Sequence, residues 1–135
     1  MRVLADTSAL LALANGRDQW HPRAVRIARA GAASGVRYTS TTLVLAEFHA
    51  RVLYVRGPHE ARRAVSVLLD DPVHEWREVS AEFARDAVAR WMVRFADQRF
   101  SLADAVSFEV MRRERITTAF AFDQHFETAG FTLLD

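Results

Sequence analysis

The chain has 135 residues, and half of them are hydrophobic, so it is long enough and apolar enough to bury one core. We expect a single domain over residues 1–135. The absence of cysteine excludes disulfides and thiolate metal sites. No apolar run approaches the roughly 20 residues that span a bilayer, and the start of the chain, Met1-Arg2-Val3-Leu4-Ala5-Asp6, is charged too early for a signal peptide because Asp6 ends its apolar run. These features predict a cytoplasmic protein that does not bind membranes.

The basic residues are all arginine, since the 18 positions counted as lysine or arginine include no lysine. With 17 acidic residues the formal net charge is only +1. The planar guanidinium group suits bidentate contact with phosphate, so a phosphate-rich partner is consistent with this composition. A GC-rich coding sequence also favours arginine over lysine, and this is the simpler interpretation.

The hydrophobic pattern predicts strands and helices in alternation, bounded by turn residues such as Asn15-Gly16 and Gly57-Pro58. The helix over residues 41–56 is the most strongly periodic, and we expect its apolar side to face the core. That predicted side comprises Leu43, Ala46, Ala50, Leu53 and Tyr54. In chain order the predicted elements are a strand at 2–5, helices at 7–14 and 20–33, a strand at 36–40, helices at 41–56 and 58–69, a strand at 73–79, helices at 80–91 and 101–114, a strand at 116–122, a short helix at 123–129 and a last strand at 131–134.

Strands that alternate with helices are typical of an α/β fold with a parallel sheet covered on both faces. Ligands of such sheets gather at the carboxyl ends of the strands. Asp6 and Asp123 each directly follow a predicted strand and stand where a helix begins. Either residue alone is most simply interpreted as a helix N-cap. The two roles are compatible, because a helix N-terminus keeps a carboxylate ionised, as metal binding requires.

Two further acids have competing interpretations. Asp104 lies three residues after Ser101, which is the spacing of a capping box, although glutamate is the more usual third residue. Glu47 follows Leu43 and Val44 on the periodic helix, so burial would cost free energy unless a cation compensates the charge. An ion pair with Arg51, four residues later, is the structural alternative for Glu47.

Four scattered acids without cysteine point to a hard divalent cation such as Mg²⁺ or Mn²⁺, and such a centre suits phosphodiester hydrolysis. Asp97 lies in a loop before Ser101 and either supports this site through water or is an ordinary loop acid. His125 is close enough in sequence to Asp123 to reach the site, but the histidine spacing predicts no zinc pair.

Four segments of the chain resemble the acidic motifs of PIN-domain nucleases, in the same order and at similar spacing. They are DTSAL at 6–10, TLVLAE at 42–47, SLADA at 101–105, and FDQHF at 122–126 followed by Gly130-Phe131. The resemblance covers the whole chain, and its size and motif details look most like VapC-type toxins of toxin–antitoxin pairs.

This resemblance implies a three-layer α/β/α sandwich around a short, mainly parallel sheet. It implies that Asp6, Glu47, Asp104 and Asp123 bind Mg²⁺ or Mn²⁺ and carry catalysis, and that Ser8 and Thr7 support the first acid. The implied activity is endoribonuclease cleavage of RNA. The implied partners are a small antitoxin and a second copy of the chain in a homodimer.

Other functions are compatible with parts of the pattern. A PIN nuclease of RNA maturation or decay would need no antitoxin, and a non-catalytic PIN-like module would usually lack one of the acids. A phosphatase that used Asp6 as nucleophile would commonly need an acid two residues later, where this chain has Ser8. Arginines near the acids, namely Arg51, Arg56, Arg112, Arg113 and Arg115, either guide RNA or pair with nearby carboxylates.

Overall fold

A five-stranded sheet forms the centre of the molecule, and the computed structural model describes residues 1–135. Every neighbouring pair of strands is parallel, in the order β3-β2-β1-β4-β5. The parallel α/β sheet predicted from the alternation of elements is therefore confirmed. The strands are β1 Arg2–Ala5, β2 Arg37–Thr41, β3 His74–Arg77, β4 Thr118–Phe120 and β5 Thr132–Leu133.

Seven helices connect the strands, at bounds that differ from the predicted ones by one or two residues at most ends. A left-handed Gly35 ends the second helix, with φ of 74°. No helix is long and apolar enough to cross a membrane. The helices are α1 Thr7–Ala14, α2 His21–Ser34, α3 Thr42–Arg56, α4 Pro58–Asp70, α5 Ala81–Ala87, α6 Leu102–Glu114 and α7 His125–Thr128.

Side chains of β1 point alternately to the two faces of the sheet, as the pleat of a strand requires. Val3 and Ala5 join the apolar clusters beneath α1 to α4. Leu4 joins the opposite cluster, which is filled mainly by α6 and the helices around it. The sheet thus lies between two helical layers, and the predicted three-layer sandwich is confirmed.

The predicted apolar side of α3 is wrong except at Leu43, which is partly buried and packs against the core. Val44, Phe48 and Val52 are the buried residues of this helix, whereas Tyr54 is 91% exposed and Leu53 is 41% exposed. The helix carries apolar side chains on almost every side, so its periodicity did not select one face. Packing against α1 and α4 makes that selection in the folded chain.

The order of the strands reverses between β1 and β4. The chain runs outward from β1 through β2 to β3, then crosses to the other side of β1 to form β4 and β5. Leu4 and Ala5 lie opposite Ala119 and Phe120, which brings the carboxyl ends of β1 and β4 level. Such a switch point opens a crevice in which α/β proteins bind ligands.

Candidate metal centre

Asp6 follows β1 directly and caps the first helix at the switch point. Its Oδ2 accepts hydrogen bonds from the Ser8 backbone N–H at 3.3 Å and from Ser8 Oγ at 2.8 Å. Ser8 Oγ in turn accepts the backbone N–H of Phe122 at 3.0 Å. Ser8 therefore joins the segment after β1 to the segment after β4 and holds the Asp6 carboxylate between them.

Asp104 lies at the start of α6, where it closes the capping box with Ser101. Its Oδ2 accepts the Ser101 backbone N–H at 3.0 Å, and its own N–H donates to Ser101 Oγ at 3.0 Å. Aspartate therefore reaches back far enough to complete the box at this position. The other carboxylate oxygen, Oδ1, forms no hydrogen bond.

Asp123 and His125 complete a cluster with Asp104. Nδ1 of His125 lies 3.0 Å from Asp104 Oδ2 and 3.4 Å from Asp123 Oδ1. Asp123 does not cap α7, whose N-cap is Gln124, but its Oδ1 accepts the His125 backbone N–H at 2.8 Å. One potential ligand atom from each of the three residues lies within 4.8 Å of the other two.

The electrostatics of Asp6 show a site with excess negative charge. Asp6 is only 6% exposed, and its burial raises the pKa to about 6 against the lowering effect of the Ser8 hydrogen bonds. The nearby Asp104 carboxylate raises this pKa further. No arginine forms an ion pair with any of the four predicted acids. A bound cation would supply the missing positive charge.

Glu47 lies on an exposed part of α3, outside the cluster of Asp104, Asp123 and His125. Its side chain forms no hydrogen bond and no ion pair, so the alternative pairing with Arg51 is absent. Burial against an apolar face, the reason for singling out Glu47, is also absent. The motif resemblance alone assigns it to the metal site.

The predicted supporting residues differ in their surroundings. Thr7 is buried beside Asp6, and its Oγ1 has no hydrogen-bond partner. Asp97 is exposed and its side chain contacts only Gln98, at 3.5 Å. None of the four predicted metal-binding acids forms a hydrogen bond with Asp97.

The residues present fit a hard divalent cation. Asp104 and Asp123 bring potential oxygen ligands together, Asp6 lies outside that group but near enough to Asp104 for its charge to act on Asp6, and no basic side chain forms an ion pair with Asp6. Oxygen donors of this kind suit Mg²⁺ or Mn²⁺. The single histidine is too few for the usual zinc sites.

His125 is the functional candidate that the sequence indicated least. Only its position two residues after Asp123 placed it near the site, and nothing in the sequence linked it to Asp104, 21 residues away. Its ring also contacts Phe100 edge-on, with centroids 5.3 Å apart. Tertiary packing of α6 against α7 creates the contact between Asp104 and His125.

Comparison with known proteins identifies the family. The family model described as "PIN domain" matches residues 3–132. The chain belongs to the PIN domain family.

The chain is also similar to individual PIN proteins. It is 33% identical over 129 residues to the "23S rRNA-specific endonuclease VapC20" of two Mycobacterium tuberculosis strains, covering 96% of this chain and 95% of the relative. The crystal structure of VapC20, described as a "Sarcin-Ricin loop cleaving toxin", superimposes with a TM-score of 0.85 at 31% identity, over 96% of both chains. VapBC2 of Rickettsia felis, bound to promoter DNA, superimposes with a TM-score of 0.71 over 98% of this chain and 97% of that chain. At 13% identity that match shows the fold alone.

Proposed function

We propose that this PIN-domain chain is a metal-dependent endoribonuclease, the toxin of a type II toxin–antitoxin pair. The observation that carries the proposal is the cluster of Asp104 and Asp123 with His125, next to which Asp6 is buried without an ion-pair partner and senses the charge of Asp104. The similarity to VapC20, a ribosomal RNA endonuclease, over nearly the whole chain supports the reaction class and the toxin assignment.

The four acids Asp6, Glu47, Asp104 and Asp123 would hold Mg²⁺ or Mn²⁺, with Glu47 reaching in from α3. When bound, the metal would activate a water molecule and offset the charge that develops on the phosphodiester. Ser8 fixes the direction of the Asp6 carboxylate through two hydrogen bonds. His125 and the Ser101 N–H hold the other side of the site by orienting Asp104.

The substrate of the proposed enzyme is RNA, and VapC20 suggests that structured ribosomal RNA is the first class to examine. A cognate antitoxin would bind the chain and restrain the nuclease, and a homodimer is the expected assembly. The cytoplasm, where such RNA is found, is the proposed place of action.

The decisive experiment is RNA cleavage by the purified chain and its neutral variants. The wild-type chain should cleave structured RNA with Mg²⁺ or Mn²⁺ and lose this activity in EDTA. Asp6→Asn, Asp104→Asn and Asp123→Asn should each reduce the rate at least about a hundredfold, because even residues behind the metal ligands typically contribute 10- to 100-fold. The rate would be measured by gel analysis of a labelled hairpin RNA.

Asp70→Asn is the matched control, since Asp70 ends α4, is exposed and has no side-chain partner. It should cleave at the wild-type rate. Circular dichroism should show a native fold in all four variants. Cleavage that persists in EDTA, or full activity in all three site variants, would refute the proposed function.

A further inference from the structure

A second charged cluster lies on α6, away from the metal centre, around the buried Glu109. This carboxylate is only 1% exposed. We call the group that surrounds it the arginine cradle, and its members are Arg90, Arg94, Arg112 and Arg113. None of these residues takes part in the proposed metal site.

Glu109 holds two of the cradle arginines in fixed positions. Its Oε2 accepts hydrogen bonds from Arg112 Nη2 and from Arg113 Nε, both at 2.7 Å. Its Oε1 accepts the Arg112 Nε–H and the Trp91 Nε1–H, each at 3.1 Å. Arg113 is held further by Asp86 at 2.9 Å and by the face of the Phe83 ring, 4.4 Å from its Cζ atom.

The rest of the cradle comes from a π-helical segment, Val88–Val93, which continues α5. Within it two consecutive residues reach the same carboxylate: Arg90 Nε lies 3.4 Å from Glu109 Oε1, and Trp91 donates to the same oxygen. Arg94 follows Arg90 by four residues and lines the same cleft. Isolated π-helical turns are rare and frequently mark functional sites.

The cradle has more positive charge than its acids neutralise. Four arginines face only Glu109 and Asp86, which leaves two positive charges in excess. The Nη groups of Arg90 form no hydrogen bond, and Arg94 forms neither a hydrogen bond nor an ion pair. These guanidinium groups border an open cleft of about 430 Å³ whose lining has one hydrophobic residue, Ala89. A planar guanidinium group with free N–H groups can donate two parallel hydrogen bonds to the oxygens of a phosphate.

We propose that the arginine cradle binds a backbone phosphate of the RNA, at a position several nucleotides from the scissile bond. This inference rests on the proposed ribonuclease function. Each site includes part of α6, on which Arg112 of the cradle follows Asp104 by eight residues, or about 12 Å along the helix axis. A nucleic acid strand advances about 3.4 Å per phosphate, so one bound strand can reach both. The cradle positions RNA and does not touch the reacting atoms.

The test is RNA affinity as a function of salt, measured by fluorescence anisotropy with a labelled hairpin RNA in EDTA. The variant R90Q/R94Q removes the two arginines with free forks and leaves the contacts of Glu109 with α6 intact. Each phosphate contact contributes about 0.7–0.9 to the slope of log K against log salt. For the loss of one phosphate contact we expect a slope shallower by about 0.7–0.9 and an affinity about tenfold weaker at low salt. Cleavage with Mg²⁺ should show a raised KM and a kcat close to wild type.

The matched control is R26Q/R29Q, which removes the same charge from exposed positions on α2 that have no carboxylate partner. It should keep the wild-type slope. The proposal would be overturned if the slope of log K against log salt were the same for the wild type and R90Q/R94Q. It would also be overturned if the two double variants lost the same RNA affinity. Thermal unfolding would verify that both double variants remain folded.

The Trp91 indole N–H gives a second measurement, since it donates to the carboxylate at the centre of the cradle. Titration with the hairpin RNA in EDTA should shift this indole resonance more than those of Trp20 and Trp76. A shift caused by a glutamate-rich peptide and not by RNA would overturn the proposal in favour of a protein partner.

The two proposals fail in different ways. A wild-type chain that binds RNA through the cradle but never cleaves it would refute the ribonuclease and leave the cradle standing. A wild-type chain that cleaves RNA with a slope unchanged in R90Q/R94Q would refute the cradle alone.

Discussion

Asp6 and Glu109 are both buried carboxylates, and their surroundings shift their pKa values in opposite directions. Burial alone raises the pKa of each. For Asp6 the neighbouring charge is Asp104, and the pKa rises to about 6. For Glu109 the hydrogen bonds from Arg112, Arg113 and Trp91 outweigh burial, and the pKa falls to about 2.

This difference separates a proposed metal ligand, Asp6, from a structural anchor, Glu109. Glu109 already has more positive charge around it than it can neutralise, so it stabilises the fold and needs no ligand of its own. Asp6 has a like charge beside it and accepts hydrogen bonds only from neutral groups of Thr7 and Ser8, so the folded chain carries an uncompensated charge. Buried groups of this second kind are common at functional sites, because a ligand supplies the compensation.

The largest expected effect on stability comes from Glu109→Gln. Loss of the carboxylate removes charge-assisted hydrogen bonds from Arg112, Arg113 and Trp91, so the free energy of unfolding should fall by about 3 kcal/mol. Urea unfolding at pH 7 would measure it. Glu78→Gln, at an exposed position without a partner, should change stability by less than about 0.5 kcal/mol. Equal effects of the two substitutions would show that the hydrogen bonds around Glu109 contribute nothing to the stability of the fold.

Asp6→Asn should raise the free energy of unfolding, in contrast to Glu109→Gln. Above pH 6, in metal-free protein, the substitution removes a buried negative charge. A pKa difference of about two corresponds to at most about 3 kcal/mol, so we expect the free energy of unfolding to rise by about 2 kcal/mol. Mn²⁺ should raise the melting temperature of the wild type and leave that of Asp6→Asn almost unchanged. A loss of stability in Asp6→Asn without metal would contradict the interpretation of Asp6 as an uncompensated charge.

The pH dependence of stability should differ in the same way. The pKa of Asp6 rises from 3.8 to about 6, so its folded state binds the proton more tightly, and metal-free stability should decrease as the pH rises from about 4 to about 6. The pKa of Glu109 falls from 4.5 to about 2, so its contribution is complete above pH 4.5 and disappears as the pH falls towards 2. Unfolding curves for the wild type, Asp6→Asn and Glu109→Gln across pH 2–8 would measure this. Asp6→Asn should lack the change in stability between about pH 4 and 6, and Glu109→Gln should lack the change below pH 4.5.

Glu47→Gln should have the smallest effect on stability. The side chain is exposed and unpartnered, so the change in unfolding free energy should stay below about 0.5 kcal/mol. If Glu47 reaches the metal, Mn²⁺ affinity measured by calorimetry should fall about tenfold. An unchanged affinity would remove Glu47 from the proposed ligand set.

The sequence predicted the fold better than the site. Strand alternation and turn residues such as Gly57-Pro58 located every strand and helix near its observed position, because these signals are local. The π-helical segment was not predicted, since it depends on packing of Trp91 and Arg90 against Glu109. The buried face of α3 was predicted wrongly, because a helix that is apolar all round carries no local signal for its orientation.

The sequence by itself determined the order of the elements, the capping box of Ser101 and Asp104, and the position of Asp6 at a strand end. These follow from dihedral preferences, capping and periodicity, which act within a few residues. Only the tertiary structure decided which charges meet. Asp104 and His125 come together, and three arginines contact Glu109, because packing of α5, α6 and α7 on one face of the sheet brings distant residues close to one another. Electrostatic compensation depends on those distances, so the contrast between Asp6 and Glu109 arises only in the folded chain.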